Sequence, residues 1–407
     1  MPKRTTVTFL TSNYPRWEAD STTPFVLHLA RDLRDEGWDV DVLAPHYPGA
    51  ARDEVLDGVP VHRFRYLLPE SAQTVCYGGG ALVNIRRSRA ELAKLPALVA
   101  SELAATVAHC RSRSSLIHAH WLVPQGAVAA SAAPMLRLPW IATVHGGDVF
   151  GLQQAPIQRV KSAVLERASA VTVNSSVTRA RVADLAPGVE PVTIPMGVEI
   201  EPADASLVEA ARRELSGDRP LVVFVGRVVE EKGVFDLLAA APLVRDAIED
   251  VTIAIVGDGQ DLDEVRRRVT ELGLDDTVTC TGWRPHEQVA ALQTAADVVV
   301  VPSRTGPDGW VEAQGLSAVE ALAAGRAVVA TDHGGLRDSV VHESTGLLVP
   351  EAEPARLADA VVRLLRDRDL ATRLGAAGRT SIRETYDRRG VAQRFSGLYE
   401  QVLSRRR

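Results

Sequence analysis

Residues 297–324 read DVVVVPSRTGPDGWVEAQGLSAVEALAA. The four consecutive valines after Asp297 predict a buried parallel strand, and residues 317–324 have the composition of a helix. A loop at the carboxyl end of a strand therefore leads directly into the amino terminus of a helix. In open α/β sheets such junctions bind ligands, because unpaired backbone N–H groups and the helix dipole favour anions there.

Two glutamates bracket this junction, Glu312 in the loop and Glu320 one turn inside the helix. A carboxylate repels phosphate but accepts hydrogen bonds from neighbouring hydroxyls, so the pair favours recognition of a sugar. The alternative is structural, because Ser317-Ala-Val-Glu320 also has the form of a capping box, in which the glutamate reaches back to the N–H of the cap residue. Spacing alone leaves both interpretations open.

Apolar runs alternate with helical segments on both sides of this stretch, which predicts an α/β protein whose parallel sheets are covered on both faces. Because the two halves of the chain repeat the alternation, we expect two Rossmann-like parallel-sheet domains, at 1–196 and 197–385, with a ligand cleft between them. A last helical segment, 386–407, has no sheet of its own to extend. The predicted strands lie at 7–10, 40–43, 116–120, 140–144, 170–174 and 192–194 in the first half, and at 221–225, 251–256, 277–281, 297–301 and 327–330 in the second.

The composition is that of a globular protein, since 46% of the 407 residues are hydrophobic and 24% are charged. A net charge of −6 gives no general basis for nucleic-acid binding, and local arginine clusters such as 405–407 are expected to be solvated. The three cysteines have no spacing typical of metal ligands. No signal peptide or membrane span is predicted, so we expect a cytoplasmic protein. A basic helix at 85–94 is either solvated or a weak contact with the inner face of an anionic membrane.

A cationic loop follows the first strand of the second half: Gly226-Arg227-Val-Val-Glu-Glu-Lys232-Gly233. Arginine can clamp two oxygens while lysine acts as a point charge, so a diphosphate is the expected anion. The two glycines would allow the backbone to approach the ligand closely. The alternative is an ordinary turn with solvated cations. The loop is not a Walker A motif, because GxxxxGK[ST] is absent.

Further turns are predicted along the same edge of the second sheet. Gly257 lies in a Gly-Asp-Gly turn that lacks the third glycine of a dinucleotide fingerprint and indicates little more than a tight turn. Trp283 and Arg284, in Gly282-Trp-Arg-Pro285, could hold a base by stacking or by backbone hydrogen bonds. His333-Gly334-Gly335 forms one more flexible turn at this edge.

In the first half, the strand ending at Val144 is followed by His145-Gly-Gly-Asp148. A histidine at a strand end has both ring nitrogens available for hydroxyls, although a lone histidine is more often structural. His118 and His120 share one face of a neighbouring strand. They favour the wall of a polar pocket over a metal site, because no third ligand has suitable spacing.

This ordered set of motifs resembles the retaining GT-B glycosyltransferases of the large family called GT4. The residues that carry the resemblance are Gly226-Arg227 with Lys232-Gly233, the Glu312-x7-Glu320 pair, His145-Gly-Gly-Asp148, the Pro195-Met-Gly197-Val198 linker and the Gly334-Gly335 turn. Each motif is modest alone, whereas the set with these spacings covers nearly the whole chain. The resemblance implies a GT-B fold and transfer of a sugar from a nucleotide-sugar donor to an acceptor hydroxyl, without a metal or other cofactor.

The resemblance also implies roles for individual residues. Arg227 and Lys232 would bind the donor diphosphate, Glu320 the ribose hydroxyls, and Glu312 and His145 the donor sugar; His145, Arg227, Lys232 and Glu312 are the expected catalytic residues. Residues 386–407 would cross back to the amino-terminal, acceptor-binding domain. Further donor contacts are expected from Gly226, Gly257, Trp283, Arg284, Ala313, Gln314, Gly315, Leu316 and Ser317. The acceptor side would be formed by Asn13, Arg16, Tyr77, His120, Trp121, His145 and Asp148.

The expected acceptor is a glycan, a glycolipid or a small molecule. The Tyr77-Gly78-Gly79-Gly80 loop and the segment from His120 to Gly126 resemble a bacterial branch of the family linked to surface polysaccharides and other glycoconjugates. Two features depart from the family pattern: residues 13–24 contain no glycine, and Ala313 and Gln314 replace the common glycine and an aromatic residue. Two alternative functions are a non-catalytic nucleotide- or sugar-binding protein of this fold and a nucleotide-sugar 2-epimerase.

Overall fold

The computed structural model describes residues 5–405 with the exception of 19, 21, 23, 79 and 307. Gly79 of the glycine loop and the terminal Arg406 and Arg407 lie outside this part of the chain. The contacts within the chain form two compact units, Met1–Gly197 with Arg388–Arg407, and Val198–Asp387. Each unit is an α/β domain with its own sheet, as the alternation of apolar and helical segments predicts.

The first unit contains an eight-stranded sheet with the order β3-β4-β2-β1-β5-β6-β7-β8. All neighbouring strands are parallel except β3 and β4. The strands are β1 (Thr6–Leu10), β2 (Asp39–Pro45), β3 (Asp53–Leu56), β4 (Val59–Phe64), β5 (Leu116–His120), β6 (Trp140–Val144), β7 (Ala170–Val173) and β8 (Val192–Thr193). The helices are α1 (Pro24–Asp35), α2 (Ala81–Arg87), α3 (Arg89–Cys110), α4 (Ala127–Leu136), α5 (Gly147–Phe150), α6 (Ala155–Arg167) and α7 (Ser176–Leu185).

Strands β3 and β4 were not predicted. They form a hairpin whose two-residue turn, Asp57-Gly58, has positive φ at both positions, 50° and 80°. Such a turn matches the twist of the flanking strands, and the Asp-Gly dipeptide is its usual sequence signal. The four-residue β3 is largely exposed, so its polar composition hid the strand.

The prediction of one basic helix at 85–94 is wrong, because the helical segment is interrupted at Ser88, between α2 and α3. Ser88 has extended backbone angles, φ −146° and ψ 124°, and its hydroxyl accepts a hydrogen bond from the N–H of Ala90 at the start of α3. The side chains of Arg86 and Arg87 lie outside the described structure. Lys94 donates to the Thr74 hydroxyl at 2.8 Å and to Glu91, so it is engaged within the unit.

The second unit contains a six-stranded parallel sheet with the order β11-β10-β9-β12-β13-β14. Its strands are apolar because helices cover both faces. The strands are β9 (Leu221–Val225), β10 (Thr252–Val256), β11 (Val278–Gly282), β12 (Val298–Val301), β13 (Ala327–Thr331) and β14 (Leu347–Val349). The helices are α8 (Ala205–Leu215), α9 (Val234–Ala247), α10 (Leu262–Glu271), α11 (His286–Ala295), α12 (Leu316–Ala323), α13 (Leu336–Ser339), α14 (Pro354–Arg366) and α15 (Arg368–Thr385).

The last helix, α16 (Arg388–Ser404), completes the first unit. Arg388 at its start forms an ion pair with Asp32 of α1, with Nη2 2.5 Å from Oδ1. Further along, Phe395 and Tyr399 are fully buried, and the Tyr399 hydroxyl lies 2.7 Å from Nδ1 of His118 in β5. Because α16 fills the core of the first unit, that unit is discontinuous in sequence. Among the described residues no helix combines the length and apolar content that crossing a membrane requires.

Candidate active site

An ion pair joins two of the predicted catalytic residues, Lys232 and Glu312, at the carboxyl edge of the second sheet. Lys232 ends a short 3-10 turn, Glu230–Lys232, after β9, and Glu312 lies in the loop after β12. The two strands are neighbours in the sheet, so their loops meet. The same carboxylate accepts a hydrogen bond from the Ser303 hydroxyl at 3.0 Å.

These partners keep Glu312 ionised. Its burial alone would raise the pKa of the carboxyl, but the charge of Lys232, and the hydrogen bonds from Lys232 and Ser303, outweigh burial and lower the pKa. The Lys232 ammonium also lies 5.0 Å from the ring centre of Trp310. A cation and an anion are thus both fixed beside the amino terminus of α12, one suited to phosphate and the other to hydroxyls.

Glu320 lies on α12, and the capping-box interpretation of Ser317 and Glu320 is wrong. The residue that caps the helix is Gly315, with φ 73°, and no side chain bonds to the cap. A side chain at Gly315 would also strike Leu336, because a Cβ there would lie 2.3 Å from Leu336 Cδ2. Glu320 is therefore available for another role. Burial raises the pKa of Glu320 to about 7. A hydrogen bond with the Gln293 side chain lowers the pKa but does not outweigh burial.

Arg227 is the more accessible of the two predicted phosphate ligands. Its side chain is 51% exposed, and Nη2 lies 3.8 Å from Glu231 Oε1, too far for a hydrogen bond. Within the described part of the chain its guanidinium makes no side-chain hydrogen bond. The arginine can therefore reorient toward an anion at little cost in existing contacts.

The glycines of this edge serve chain packing. Gly233 has φ 73°, and a Cβ there would lie 1.7 Å from the carbonyl oxygen of Pro302 after β12. Gly257 has φ 140°, and a Cβ there would lie 1.9 Å from the carbonyl oxygen of Gly226. Each glycine allows one strand-end loop to lie directly on its neighbour, which holds Arg227 and Lys232 at the edge. From the sequence, we expected a close approach of a ligand at Gly233 and only a tight turn at Gly257.

Of the two residues predicted to hold a base, Arg284 is already engaged. Its Nη2 donates to Glu214 of α8 at 2.6 Å, which ties it to the surface of the second unit. Trp283, which follows β11, is 53% exposed. Of the residues predicted to contact donor through their backbone, Gln314 is buried, and Ala313, Leu316 and Ser317 are partly exposed.

In the first unit, His145 does not have both ring nitrogens available. Its Nε2 lies 3.0 Å from Nδ1 of His120, and the two rings stack at a centroid distance of 5.3 Å. The ring of Trp121 lies 4.8 Å away on another side. Burial lowers the pKa of His145 to about 3, so the ring is neutral near pH 7 and can only exchange hydrogen bonds. Among the described residues Nδ1 makes no hydrogen bond, so this nitrogen is left for a ligand.

Asp148 shapes the turn that carries His145. Its Oδ1 accepts hydrogen bonds from the N–H groups of His145 at 3.2 Å and Gly146 at 2.9 Å, and its Oδ2 accepts from Leu122 at 3.1 Å. These three hydrogen bonds all come from backbone N–H groups of its own unit. Burial raises the pKa of Asp148 to about 6, although these bonds oppose the shift. The geometry favours a positioning role over direct contact with an acceptor.

The remaining residues predicted for the acceptor side lie around the loop after β1. Arg16 forms a two-point ion pair with Asp20, at 2.7 and 3.1 Å, and its guanidinium lies 4.3 Å from the ring centre of Trp17. Tyr77 is buried, and its hydroxyl donates to the carbonyl of Pro45 at 3.0 Å, which favours a structural role. Asn13 belongs to this loop and lies next to Gly80: its side-chain Nδ2 is 3.7 Å from the position that a Cβ at Gly80 would take.

Two residues that hold the site were missed by the sequence analysis. Ser303 bonds to Glu312, and its own carbonyl accepts a hydrogen bond from Thr331 at the end of β13. His333 accepts from the N–H of Glu312 at 3.2 Å through Nε2, and the N–H of Gly335 donates to the Glu312 carbonyl at 2.8 Å. The feature of the sequence that could have identified Ser303 was its position two residues after the buried strand β12.

Comparison with known proteins agrees with this arrangement. Residues 208–381 match the family model described as "Glycosyl transferases group 1", and residues 22–197 match "Glycosyl transferase 4-like domain". A GDP-mannose-dependent alpha-(1-6)-phosphatidylinositol monomannoside mannosyltransferase of Mycobacterium tuberculosis is 37% identical over 266 residues, 62% of this chain and 69% of that protein. The chain belongs to the group 1 glycosyltransferases.

Two further relatives extend the similarity of this glycosyltransferase over almost its full length. A glycogen synthase of Mycobacterium tuberculosis is 30% identical over 398 residues, covering 92% of this chain and 89% of the relative. The solved structure of sucrose-phosphate synthase from Thermosynechococcus elongatus has a TM-score of 0.78 at 26% identity and covers 98% of this chain and 100% of its own. The fold is therefore GT-B with two Rossmann-like domains, and the chain is a GT4-type glycosyltransferase that uses a nucleotide-sugar donor.

Proposed function

We propose that this glycosyltransferase is a retaining hexosyltransferase that needs no metal for transfer. The observation that carries the proposal is the Lys232–Glu312 ion pair at the edge of the second sheet, with the half-exposed Arg227 on the same loop. Breaking the bond between sugar and phosphate develops negative charge on the diphosphate. Lys232 and Arg227 supply positive charge there, which is the task that magnesium performs in other phosphate sites.

In the proposed reaction, the bond between the sugar C1 and the diphosphate oxygen breaks, and a bond forms between C1 and the acceptor oxygen on the same face. The proton of the acceptor hydroxyl passes to the leaving diphosphate. No enzyme carboxylate is assigned as a nucleophile: Glu312 is ionised, but Lys232 and Ser303 both bind its Oε2 and hold the carboxylate in place. Its proposed task is to accept hydrogen bonds from the donor sugar.

Two other residues complete the proposed donor site. Glu320 accepts hydrogen bonds from the ribose hydroxyls, since no cap bond engages it. His145 donates or accepts one hydrogen bond through Nδ1 to a hydroxyl of the sugar. The hydrogen bond between His120 and Nε2 of His145 sets the tautomer of His145. That tautomer determines whether Nδ1 donates or accepts.

For the acceptor we propose a glycan, a glycolipid or a small hydroxylated molecule. The relatives support a broad choice, since one is a phosphatidylinositol monomannoside mannosyltransferase, another a glycogen synthase, and a third a 2-deoxystreptamine glucosyltransferase. The name of the first also makes GDP-mannose the first donor to test. The proposed cellular role is glycoconjugate or polysaccharide synthesis in the cytoplasm.

The test is the release of nucleoside diphosphate from a panel of GDP-, UDP-, ADP- and dTDP-sugars, with and without acceptor, in the presence of a chelator. We expect release from one donor that rises with acceptor and disappears in Arg227→Ala/Lys232→Ala. Product analysis by NMR should show the anomeric configuration of the donor. An inverted product would overturn the retaining assignment, and loss of activity in chelator would overturn the metal-free one. No release from any donor would favour a non-catalytic binding protein.

A further inference from the structure

A groove on the first unit contains ionisable side chains that take no part in the proposed transfer. It has a volume of about 400 Å³ and is lined by residues of β2, β3, β4 and α3, including Asp53, His62 and His109. Asp41 of β2 lies directly beside it, because its Oδ2 is 2.9 Å from Nε2 of His109. The side chains of His62 and His109 also meet, with ring centroids 4.4 Å apart.

Three of these residues have the geometry of metal ligands. One ring nitrogen from each of His62 and His109 and one carboxylate oxygen of Asp41 all lie within 4.8 Å of one another. Ligands of a tetrahedral ion at about 2.0–2.1 Å lie roughly 3.4 Å apart, so small side-chain rotations would bring all three into range. The set of two imidazoles and one carboxylate suits a borderline divalent ion.

A second observation comes from the other oxygen of Asp41. Asp41 is 8% exposed, and its Oδ1 is buried without a hydrogen-bond partner among the described residues. A buried carboxylate oxygen that lacks a partner costs free energy. A cation bound by Asp41 would remove that cost.

The third observation is the carboxylate behind His62. Nδ1 of His62 lies 2.5 Å from Oδ1 of Asp53 across the β3–β4 pair. Metal-binding histidines usually donate their second ring N–H to a carboxylate in this way, which orients the ring and makes the other nitrogen a better ligand. Asp53 would therefore fix Nε2 of His62 as the ligand atom.

We propose that Asp41, His62 and His109 bind one divalent transition-metal ion of the Zn²⁺ class, with water completing the coordination. The ion replaces the hydrogen bond between His109 Nε2 and Asp41 Oδ2 and is bound by both carboxylate oxygens of Asp41. It joins α3 to the sheet through β2 and β4 and stabilises the first unit. Three arginines line the same groove, Arg52, Arg63 and Arg113, and lower its affinity for a dication. Glu54 pairs with Arg63, and the charges of Asp41 and Asp53 offset the other two.

The test uses the untagged full-length chain after treatment with a chelator. Calorimetric titration with Zn²⁺ should give about one ion per chain, and Co²⁺ should give the visible absorption of a tetrahedral complex. His62→Gln and Asp41→Asn should each weaken zinc binding at least about tenfold, and Asp53→Asn should weaken it roughly tenfold with unchanged stoichiometry. Zinc should raise the melting temperature of the wild type and not that of Asp41→Asn.

The matched control is His342→Gln, an exposed histidine of the second unit, which should bind zinc like the wild type. Transfer activity in chelator is a separate measurement, so the two proposals fail independently. A wild-type chain that takes up no zinc overturns the metal site. Unchanged zinc affinity in His62→Gln or in Asp41→Asn overturns it as well.

Discussion

The ammonium of Lys232 lies against the carboxylate of Glu312, although the two residues are 80 positions apart in the chain. The lysine side chain is 20% exposed and the glutamate side chain 9%. Lys232 is therefore not an ordinary solvated loop lysine, because it neutralises a buried charge in addition to its proposed contact with the donor diphosphate. Because the buried charge belongs to Glu312 and the proposed donor contact to Lys232, substitutions at both positions can separate the effect on stability from the effect on activity.

Lys232→Ala should lower turnover by about 100-fold, since a charge that stabilises the leaving group is lost. It should also lower the free energy of unfolding by about 2 kcal/mol, because Glu312 then remains buried without its partner. Glu312→Gln in the Lys232→Ala background should restore stability and not turnover. Urea unfolding and steady-state kinetics measure the two effects.

The control for this prediction is Lys94→Ala, which removes another lysine paired with a glutamate, Glu91, at 2.7 Å. That variant should keep wild-type turnover. Full activity in Lys232→Ala would contradict the phosphate role, and a double variant as unstable as the single one would contradict the pairing.

His145→Ala should lower turnover by about 100-fold and leave the affinity for free nucleoside diphosphate unchanged, because only the sugar loses a partner. His120→Asn should cause a smaller loss, since it disturbs the tautomer of His145 without removing the ring. Calorimetry with nucleotide and initial rates with donor separate binding from transfer. A fall in nucleotide affinity in His145→Ala would show that this histidine has been assigned to the wrong part of the donor.

The affinity for nucleoside diphosphate should rise roughly fivefold between pH 6 and pH 8, because the pKa of Glu320 lies at about 7 and the ionised carboxylate is the stronger acceptor. Since phosphates also titrate in this range, the relevant quantity is the difference from Glu320→Gln, which should show a flatter profile. Identical profiles in the two proteins would exclude Glu320 from the site.

The raised pKa of Glu320 has the opposite effect on the free energy of unfolding, which should fall as the pH rises. The pKa of Glu320 is raised from 4.5 in the unfolded chain, so its contribution to stability is complete below pH 4.5 and is lost as the pH rises through 7. Glu320→Gln should remove this slope. Urea unfolding at pH 4.5, 6 and 8 would measure it, and a slope that persists in the variant would assign it to other groups.

Arg388→Ala should destabilise the first unit by about 2 kcal/mol, because it removes the close partner of the nearly buried Asp32 and leaves only Arg31, whose Nε lies 3.8 Å from Oδ1. Arg65→Ala is the matched control, since its partner Glu70 is 39% exposed and such pairs contribute below about 1 kcal/mol. Separate unfolding transitions of the two units, followed by tryptophan fluorescence, would report the difference. Equal losses in the two variants would contradict a special role of Arg388.

Much of the architecture follows from the sequence because the buried strands are continuous apolar runs, such as Val298–Val301. Three strands escaped prediction, β3, β4 and β14. β4 has six residues and lies inside the sheet, but Pro60 is unfavourable within a strand, and His62 and Arg63 interrupt the apolar pattern. β14 has three residues and β3 is largely exposed, so neither carries a strong periodic signal. The Asp57-Gly58 turn was the one local feature that could have revealed the hairpin.

The site residues show a different limit of prediction. Sequence motifs brought Lys232 and Glu312 into one hypothesis, but only the neighbouring positions of β9 and β12 make them an ion pair. The capping box at Ser317 failed because the helix begins at Leu316 and the cap position is taken by Gly315, where Leu336 leaves no room for a side chain. Likewise, the loss of one free nitrogen of His145 depends on the register of β5 and β6, which brings His120 beside it.

The discontinuity of the first unit has a consequence for the order of events during synthesis. Residues 198–387 form a continuous unit that can fold as soon as they leave the ribosome, whereas the earlier unit must wait for α16. Until then, Tyr399 and Phe395 are missing from their places around His118, and that part of the core stays open to water. We therefore expect the part of the protein made first to be completed last, and nascent chains that end before Arg388 to be the ones most in need of a chaperone.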